Sequence, residues 1–388
     1  MSKPSRPPSG PQRLADLLPG RTVEGDSGSD PRAPPPWLNP SVYARIRPWF
    51  EQRALTVALF WHVSLVIGFS LKPLLEALVF TDASGTPQQA LSRYADTFAH
   101  LIDWHLGDVF DPAAAAFRSV ADVRSAHAGV RAAMEKQGKR FAISQFDTAV
   151  VQTGFMGALT VAPSALGLVA TDEELAQYVF FWRCVGRQLG VADEYNLCGG
   201  GRAAADRIVN EITQTMLFPA MRNPPSNYWL MSESYIAGLN SIWGGVPLLS
   251  VRSTLAVTYW ALGQTAERPF ELSLADSLRF FGLYRVLFLL LARAPAFERA
   301  ASALLLLVFR LRPPPSAAIA CSCPFSAAAA AAGPAELQPA PAQGFRACAA
   351  RGALLVFLLG SVLLFWAAIV AAAVAACSRM ASWQAMQT

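Results

Sequence analysis

The stretch from Val123 to Arg131 places one histidine between two arginines at helical spacing. His127 lies three positions after Arg124 and four before Arg131, so a helix would put the three side chains on one face. A neutral imidazole binds metals, and guanidinium groups bind carboxylates in a fixed geometry. This set suits a planar, iron-bearing dianion such as haem, with the imidazole on the iron and the arginines facing the propionates. The alternative is a partly exposed histidine among solvated arginines.

A second pair lies upstream, where Arg93 and Thr97 are four residues apart in a segment that predicts a helix. They share a face with Leu101 and Trp104. A guanidinium and a hydroxyl both stabilise negative charge that develops on oxygen, so the pair could orient bound dioxygen. Alternatively, Arg93 forms a cap or a salt bridge and Thr97 bonds to its own helix.

Other chemistries have less support in the sequence. Neither His-Glu-x-x-His nor Glu-x-x-His occurs, which argues against zincin and helical di-iron sites. His100 and His105 are five apart and point to different helix faces. There is no Gly-x-Ser-x-Gly elbow for a serine hydrolase. Cys184 lacks the glycine-rich loop of a thiolate ligand and is interpreted as a core residue, and the glycines at 199–201 as a loop before a helix.

The composition indicates a single large folded unit. The chain has 388 residues, of which 53% are hydrophobic and 15% are charged, enough for one big core plus appendages. The net charge of +5 is diffuse, so no nucleic-acid partner is expected. The six cysteines show no framework spacing, which is typical of a reducing compartment.

Changes in composition divide the chain into segments. Residues 1–40 are rich in Pro, Ser, Gly and charge, and we predict that they are disordered. Residues 41–310 follow a helical pattern throughout and form the predicted domain. Residues 311–350 are Pro- and Ala-rich and predict a linker.

The C-terminal segment, residues 351–379, predicts a transmembrane tail anchor. Its uncharged run at 353–377 exceeds the ~20 apolar residues that a helix needs to cross a bilayer. Since no secretory signal is recognisable, we expect the anchor to hold the main domain on the cytosolic side, on the endoplasmic reticulum. Residues 55–80 also contain a long apolar stretch, but the charges within it favour a core or membrane-surface helix.

Taken in order, the short motifs resemble those of the latex-clearing protein and MpaB oxygenase family, also called the rubber oxygenase catalytic domain. The likeness covers roughly residues 45–300. The motifs that carry it are Arg93-x-x-x-Thr97, Val123-Arg124-x-x-His127-x-x-x-Arg131, Ile143-Ser144-Gln145-Phe146-Asp147-Thr148-Ala149 and Tyr178-x-x-x-Trp182-x-x-x-Gly186-x-x-Leu189-Gly190.

The resemblance implies an all-α, globin-related helical bundle with additional helices, holding non-covalent haem b. It implies oxidative cleavage of a carbon–carbon double bond by dioxygen, in an isoprenoid or other lipid-like substrate. Together with the tail, it points to the MpaB type, bound to the endoplasmic reticulum and acting on the prenyl chain of a small molecule.

The resemblance also implies roles for individual residues. His127 matches the iron ligand, Arg124 and Arg131 surround the cofactor, and Arg93 and Thr97 match the distal side. Rubber-cleaving members commonly have a lysine just before the threonine, where this chain has Asp96. An acid there does not donate a proton at neutral pH unless burial raises its pKa, so rubber is the less favoured substrate.

Two further hypotheses stay open at this point. The chain could be a membrane-anchored helical scaffold or lipid-binding protein that has lost the cofactor, or it could use haem as a peroxidase or a sensor. Uptake of haemin separates the first from an oxygenase, and oxygen consumption with a prenylated substrate separates the second.

Overall fold

A computed structural model describes residues 10–311 and, beyond them, 352, 353, 356–358, 360, 361 and 364. Residues 10–311 contain helices and no β-strand, which confirms the all-α prediction. The α-helices are α1 Leu14–Leu17, α2 Pro40–Tyr43, α3 Ile46–Gly68, α4 Lys72–Phe80, α5 Pro87–Leu106, α6 Ala115–Lys136, α7 Gln145–Val161, α8 Asp172–Gln188, α9 Arg202–Ile212, α10 Phe218–Arg222, α11 Tyr228–Ser241, α12 Val251–Ala261, α13 Leu274–Ser277, α14 Val286–Arg293 and α15 Pro295–Arg310. Two π-helical segments, Thr213–Leu217 and Leu278–Arg285, continue neighbouring helices.

The helices that carry the site residues begin at capping boxes in the sequence. The Thr86 hydroxyl accepts from the Gln89 N–H ahead of α5, and the Gln89 side chain accepts from the Thr86 N–H. Ser144 and Asp147 do the same for α7. Such reciprocal bonds satisfy N–H groups that the first helical turn leaves unpaired, and each is worth about 1 kcal/mol.

The core is built around α3, which packs against α5, α7, α8, α12 and α15. Phe50, Val57, Phe60 and Trp61 on α3 are at most 1% exposed. Burying such a side chain stabilises the fold by about 1.5–3 kcal/mol. α3 therefore holds the other helices in place, and the long apolar stretch at 55–80 is chiefly a core helix followed by the shorter α4.

In residues 10–40, the described part of the N-terminal segment, the structure differs from the predicted disorder. Residues 10–40 lie as a strap across the helices, with Leu17 fully buried. The Leu14 N–H donates to Glu211 on α9 at 2.6 Å, and the Trp37 indole donates to Asp193 after α8 at 2.7 Å. Its composition lacks periodicity because the strap is anchored by single residues and not by a helical face.

The helices within residues 10–311 can be compared with the length and hydropathy that a membrane-spanning helix needs. No single helix in that range has the length and hydropathy to cross a bilayer. Two pairs of consecutive helices have the necessary length and hydropathy when each pair is taken together, but both pairs are bent. Pro40–Gly68 and Lys72–Phe80 are bent by 94°, and Leu274–Arg293 and Pro295–Arg310 by 112°. The predicted linker at 311–350 and most of the predicted anchor at 351–379 lie outside the described residues.

Candidate functional site

A cavity of about 350 Å³ is lined by residues of the successive helices from α3 to α9 and of α12. This volume is in the range of ligand pockets. Most of its wall is aliphatic or aromatic, including a stacked pair, Phe155 and Trp182, with ring centroids 5.1 Å apart. The polar side chains that reach the wall include Arg93, Thr97, His100, His127, Asp147 and Gln152. The cavity is therefore suited to an apolar ligand that meets a few polar groups.

His127 lies on α6 and lines this cavity. Within the residues that the structure describes, its imidazole has no hydrogen-bond partner. Burial, together with smaller contributions from the positive charges of Arg131 and Arg93, lowers the pKa of His127 to about 4. At neutral pH the ring is uncharged, so a nitrogen lone pair is available to a metal ion. The side chain is half-buried, and an imidazole without a partner at this position fits the ligand position of a cofactor that enters the cavity.

Arg93 and Thr97 on α5 line the same cavity as His127, so the structure brings these three predicted residues together. The Arg93 Nη1 donates to the Thr81 hydroxyl at 2.6 Å and to the Ser84 hydroxyl at 3.2 Å. These bonds tie the guanidinium to the α4–α5 connection. The Thr97 hydroxyl donates to the Arg93 carbonyl at 3.0 Å, so its proton is engaged and its oxygen is free to accept.

Arg124 and Arg131 are placed differently from His127. Arg124 donates from Nε to Asp26 of the strap at 2.7 Å and through Nη2 to the other carboxylate oxygen. Arg131 is buried, with its Nε 3.7 Å from Glu24 of the strap. Neither arginine lines the cavity, and each has a protein carboxylate as partner. Their predicted contact with a cofactor's carboxylates stays a prediction.

The carboxyl group of Asp26 is stabilised in its charged form by this arrangement. Burial would raise the pKa of Asp26, but the Arg124 hydrogen bond, the Gly28 N–H and the charges of Arg124 and Arg131 outweigh it and lower the pKa. The strap is thus held next to α6 by a partly shielded ion pair.

Asp96 is 2% exposed and does not line the cavity. It lies on α5 between Arg93 and Thr97, with its side chain away from the wall that they share. The sequence predicts Asp96 as a catalytic residue, but its position away from the cavity wall does not support that role. The reason is helical geometry, because a residue one position before Thr97 points about 100° away from it.

The sequence reasoning missed His100, which also lines the cavity. It follows Thr97 by three residues on α5, and that spacing could have identified it. Its Nδ1 lies 2.7 Å from the Ser119 hydroxyl, which also accepts from the Trp104 indole at 3.0 Å. Burial lowers the pKa of His100, against the opposite effect of Asp103 and Asp122. The cavity therefore has two imidazoles, one with a partner and one without.

Three further sequence interpretations agree with the structure. His105 and His100 point to different faces of α5, because His100 lines the cavity while His105 is fully buried with its ring centroid 4.3 Å from those of Phe50 and Phe181. Cys184 is fully buried and burial raises its thiol pKa. Gly201 precedes α9 as the residue at its N-cap, so the glycine run is a loop before a helix.

A metal ion held by protein side chains alone has no site in the described part of the chain. No group of three or more His, Cys, Asp or Glu lies close enough together there. A single imidazole suits a metal whose other ligands come from a cofactor, as in haem.

The sequence comparisons identify one family. The family model described as "ER-bound oxygenase mpaB/B'/Rubber oxygenase, catalytic domain" matches residues 47–293. This range runs from α3 to the end of α14 and contains every residue placed on the cavity wall. No curated protein and no solved structure matches the chain significantly.

Proposed function

The chain belongs to the ER-bound oxygenase mpaB/B'/Rubber oxygenase catalytic-domain family, and we propose that it is a haem b-dependent oxygenase that cleaves a carbon–carbon double bond of an isoprenoid or other lipid-like substrate. The observation that carries this proposal is the partnerless, neutral His127 in an apolar cavity that also exposes Arg93 and Thr97. The family supports an oxygenase in general, and the haem and the cleaved bond are part of the proposal.

The residues of the cavity fit haem b. When bound, haem supplies an iron centre that activates dioxygen. His127 would hold the iron through an imidazole nitrogen, and its lowered pKa keeps that nitrogen unprotonated at neutral pH. Arg124 holds Asp26 through two nitrogens, and Arg131 lies near Glu24, so both arginines have a partner in the strap that a cofactor carboxylate would compete with. Arg131 also acts on His127 through its charge.

The polar side chains of the cavity wall have distinct tasks in the proposed reaction. Arg93 supplies a fixed positive charge, because three oxygens of the α4–α5 connection hold its Nη1. Thr97 presents an oxygen that accepts a hydrogen bond, since its own proton goes to the Arg93 carbonyl. His100 is the third polar group, oriented by Ser119. Positive charge on the wall favours negative charge that develops on a reacting oxygen.

The aromatic and aliphatic wall binds the substrate and excludes water. Trp61 and Phe98 contribute a ring pair with centroids 5.7 Å apart, next to the aliphatic side chains of α4 and α7. An alkene without polar groups gains free energy from such a wall at about 25 cal/mol per Å² buried. Asp96 in place of the lysine of rubber-cleaving members makes a prenyl chain on a small molecule the favoured substrate within this proposal.

Three further predictions belong to the same proposal: a globin-like arrangement of helices, a membrane tether, and a cytosolic orientation of the domain. A globin-like arrangement of the haem-binding helices follows from the family resemblance. A membrane tether through residues 351–379 would place the domain on the cytosolic side of the endoplasmic reticulum, and the family name "ER-bound oxygenase" supports a membrane association. Protease protection and fractionation of the full chain, with and without residues 351–379, test the tether and its orientation.

Haemin binding by the full chain tests the proposal directly. We expect a Soret band that His127→Ala removes and that His100→Ala keeps. The two variants are matched, because both delete an imidazole from the same cavity wall. If His100→Ala removes the band and His127→Ala keeps it, the ligand assignment is wrong.

The chemistry requires a second experiment. With a prenylated aromatic compound, the haemin-loaded chain should consume oxygen and release two carbonyl fragments, detected by mass spectrometry. A chain that takes up no haemin supports the alternative of a membrane-anchored scaffold or lipid-binding protein. A loaded chain that oxidises peroxidase dyes but cleaves no alkene supports haem use as a peroxidase.

A further inference from the structure

A buried cluster of polar side chains lies behind the cavity, outside the proposed chemistry. It joins His62 on α3, Tyr235 on α11, Thr254 on α12 and Tyr284 on the π-helical segment, all at most 5% exposed. His62 Nδ1 lies 3.1 Å from the Tyr235 hydroxyl, and His62 Nε2 lies 2.8 Å from the Tyr284 hydroxyl. Both imidazole nitrogens therefore have a phenol as partner.

The positions of the protons in this cluster follow from counting donors. The Thr254 hydroxyl has one proton, which it donates to the Ser250 carbonyl at 2.9 Å. The contact of 2.8 Å between Thr254 and Tyr284 must then use the phenol proton of Tyr284. Tyr284 accepts in turn from His62 Nε2–H, so Nδ1 carries no proton and accepts from the Tyr235 hydroxyl.

The state of His62 agrees with this assignment. Burial lowers the pKa of His62 to about 4, so the ring is neutral and has one protonated nitrogen at neutral pH. Burial also raises the pKa of Tyr235 well above its ordinary value, so the phenol keeps its proton in the resting state. Tyr235 is thus a protonated phenol that points its proton at a neutral base.

We infer that Tyr235 and His62 form a redox-active pair, in which Tyr235 gives one electron to an oxidant in the cavity and its phenol proton to Nδ1 of His62. The O–H bond of Tyr235 breaks, the Nδ1–H bond of His62 forms, and the oxidant is reduced by one electron. The products are a neutral tyrosyl radical and an imidazolium. A phenol is much easier to oxidise when its proton leaves with the electron, because no phenol radical cation forms.

The cluster is connected to the cavity through Tyr94, which lines the wall. The ring centroids of Tyr94 and Tyr235 are 5.0 Å apart, and those of Tyr235 and His62 are 5.6 Å apart. Electrons cross such ring contacts readily. The oxidant would be of the class that haem iron and a hydroperoxide form, and this source rests on the proposed function. The pair itself does not depend on it.

On the far side, the contacts favour keeping the radical at Tyr235. The ring centroids of Tyr284 and Phe288 are 6.3 Å apart, and those of Phe288 and Trp260 are 6.4 Å apart. Phenylalanine is hard to oxidise, and the Arg285 guanidinium lies 4.0 Å from the Trp260 ring, where its charge opposes removal of an electron. Tyr235 therefore acts as an internal one-electron donor to the cavity.

Ultraviolet photolysis of the full chain without cofactor, in frozen solution, tests the pair independently of haem. In the frozen state a buried phenol passes on its proton only along an existing hydrogen bond to a base. We expect the tyrosyl radical signal in electron paramagnetic resonance to contain a component that Tyr235→Phe removes and that persists in the other tyrosine variants. Tyr178→Phe is the matched control, because Tyr178 is as buried but donates to the Phe155 carbonyl at 2.9 Å, which is no base.

The variant His62→Gln separates the base from a structural role, since an amide can accept the Tyr235 hydrogen bond but cannot hold its proton. We expect a folded chain with a strongly reduced radical yield. A radical signal in Tyr235→Phe identical to that of the wild type, or an undiminished yield in folded His62→Gln, overturns the inference.

A haemin-loaded sample provides the second arm. Hydrogen peroxide should produce the same radical in the wild type and not in Tyr235→Phe, whose Soret band should be unchanged. A chain that binds no haemin contradicts the proposed function, while photolysis of the cofactor-free chain still decides on the pair.

Discussion

Burial lowers the pKa of both His127 and His62 to about 4, yet the surroundings of the two imidazoles are built in opposite ways. His62 has a tyrosine hydroxyl on each ring nitrogen, at 3.1 and 2.8 Å. His127 has no hydrogen-bond partner within residues 10–311 and lines a cavity. The lowered pKa is common to both, so it does not identify a ligand position; the exposure differs, since His62 is 5% exposed and His127 is half-buried. The difference lies in whether the protein already satisfies the ring.

The largest expected effect on stability comes from deleting each imidazole in turn. His62→Ala leaves the buried Tyr235 hydroxyl without its partner, removes the hydrogen bond that Tyr284 accepts and opens a void in the core, so we expect the free energy of unfolding to fall by about 3 kcal/mol. His127→Ala breaks no hydrogen bond, and we expect a change below about 1 kcal/mol in the cofactor-free chain. Chemical denaturation of both variants measures this contrast. Equal losses would show that the two sites do not differ as described.

The pH dependence of stability isolates the burial of His127. Its folded pKa of about 4 lies below its ordinary value of 6.5, so the unfolded chain binds more protons between these values. Stability therefore falls as the pH drops from 6.5 towards 4. His127→Gln removes this loss and should be more stable than the wild type by about 2 kcal/mol at about pH 4.5, relative to their difference at about pH 8. His62 and His105 titrate in both chains and cancel. An unchanged difference across this range would mean that His127 titrates as a solvated histidine.

The ion pair between Asp26 and Arg124 has a smaller expected effect on stability, and its pH dependence comes from a carboxyl group. The lowered pKa of Asp26 contributes stability that is present above its ordinary value of 3.8 and lost as the pH falls through the lowered value. Asp26→Asn should cost about 1.5 kcal/mol near neutral pH and progressively less as the pH falls below 3.8. Hydrogen exchange at the Ser27 N–H, which donates to the Gly190 carbonyl at 2.8 Å, reports the strap directly. Asp30→Asn, at an exposed carboxylate, is the control and should leave this exchange unchanged.

The smallest expected effect concerns His100, the cavity histidine that has a partner. Ser119→Ala removes the hydroxyl shared by His100 and Trp104 and should cost roughly 0.5–1 kcal/mol of unfolding free energy. Haemin affinity, measured by optical titration, should change by less than about 2-fold, a few tenths of a kcal/mol. A large loss of affinity in this variant would move the ligand role from His127 towards His100.

The sequence could predict the part of the site that depends on helical spacing. Arg93 and Thr97 share a face of α5, and the capping box at Thr86 starts that helix, so both reach the cavity wall. His127 reaches the same wall from α6. All three follow from local periodicity together with an all-helical fold.

The remaining features depend on contacts between residues far apart in the chain. Asp26 and Glu24 meet Arg124 and Arg131 only because the strap folds back across α6, and nothing in its composition indicates that. The partners of His62 come from helices more than 170 positions away. Long-range pairs of this kind have no spacing signal in a single sequence.

The most direct test of the central claim is exogenous rescue of His127→Gly loaded with haemin. Removing a metal ligand should weaken haemin binding by more than about 100-fold, because even the loss of an outer partner of such a ligand costs 10–100-fold. Added imidazole fills the space left by the ring and should restore the Soret band and the resonance Raman signature of an iron–imidazole bond. A His127→Gly chain that binds haemin as the wild type does, with or without imidazole, would contradict the account.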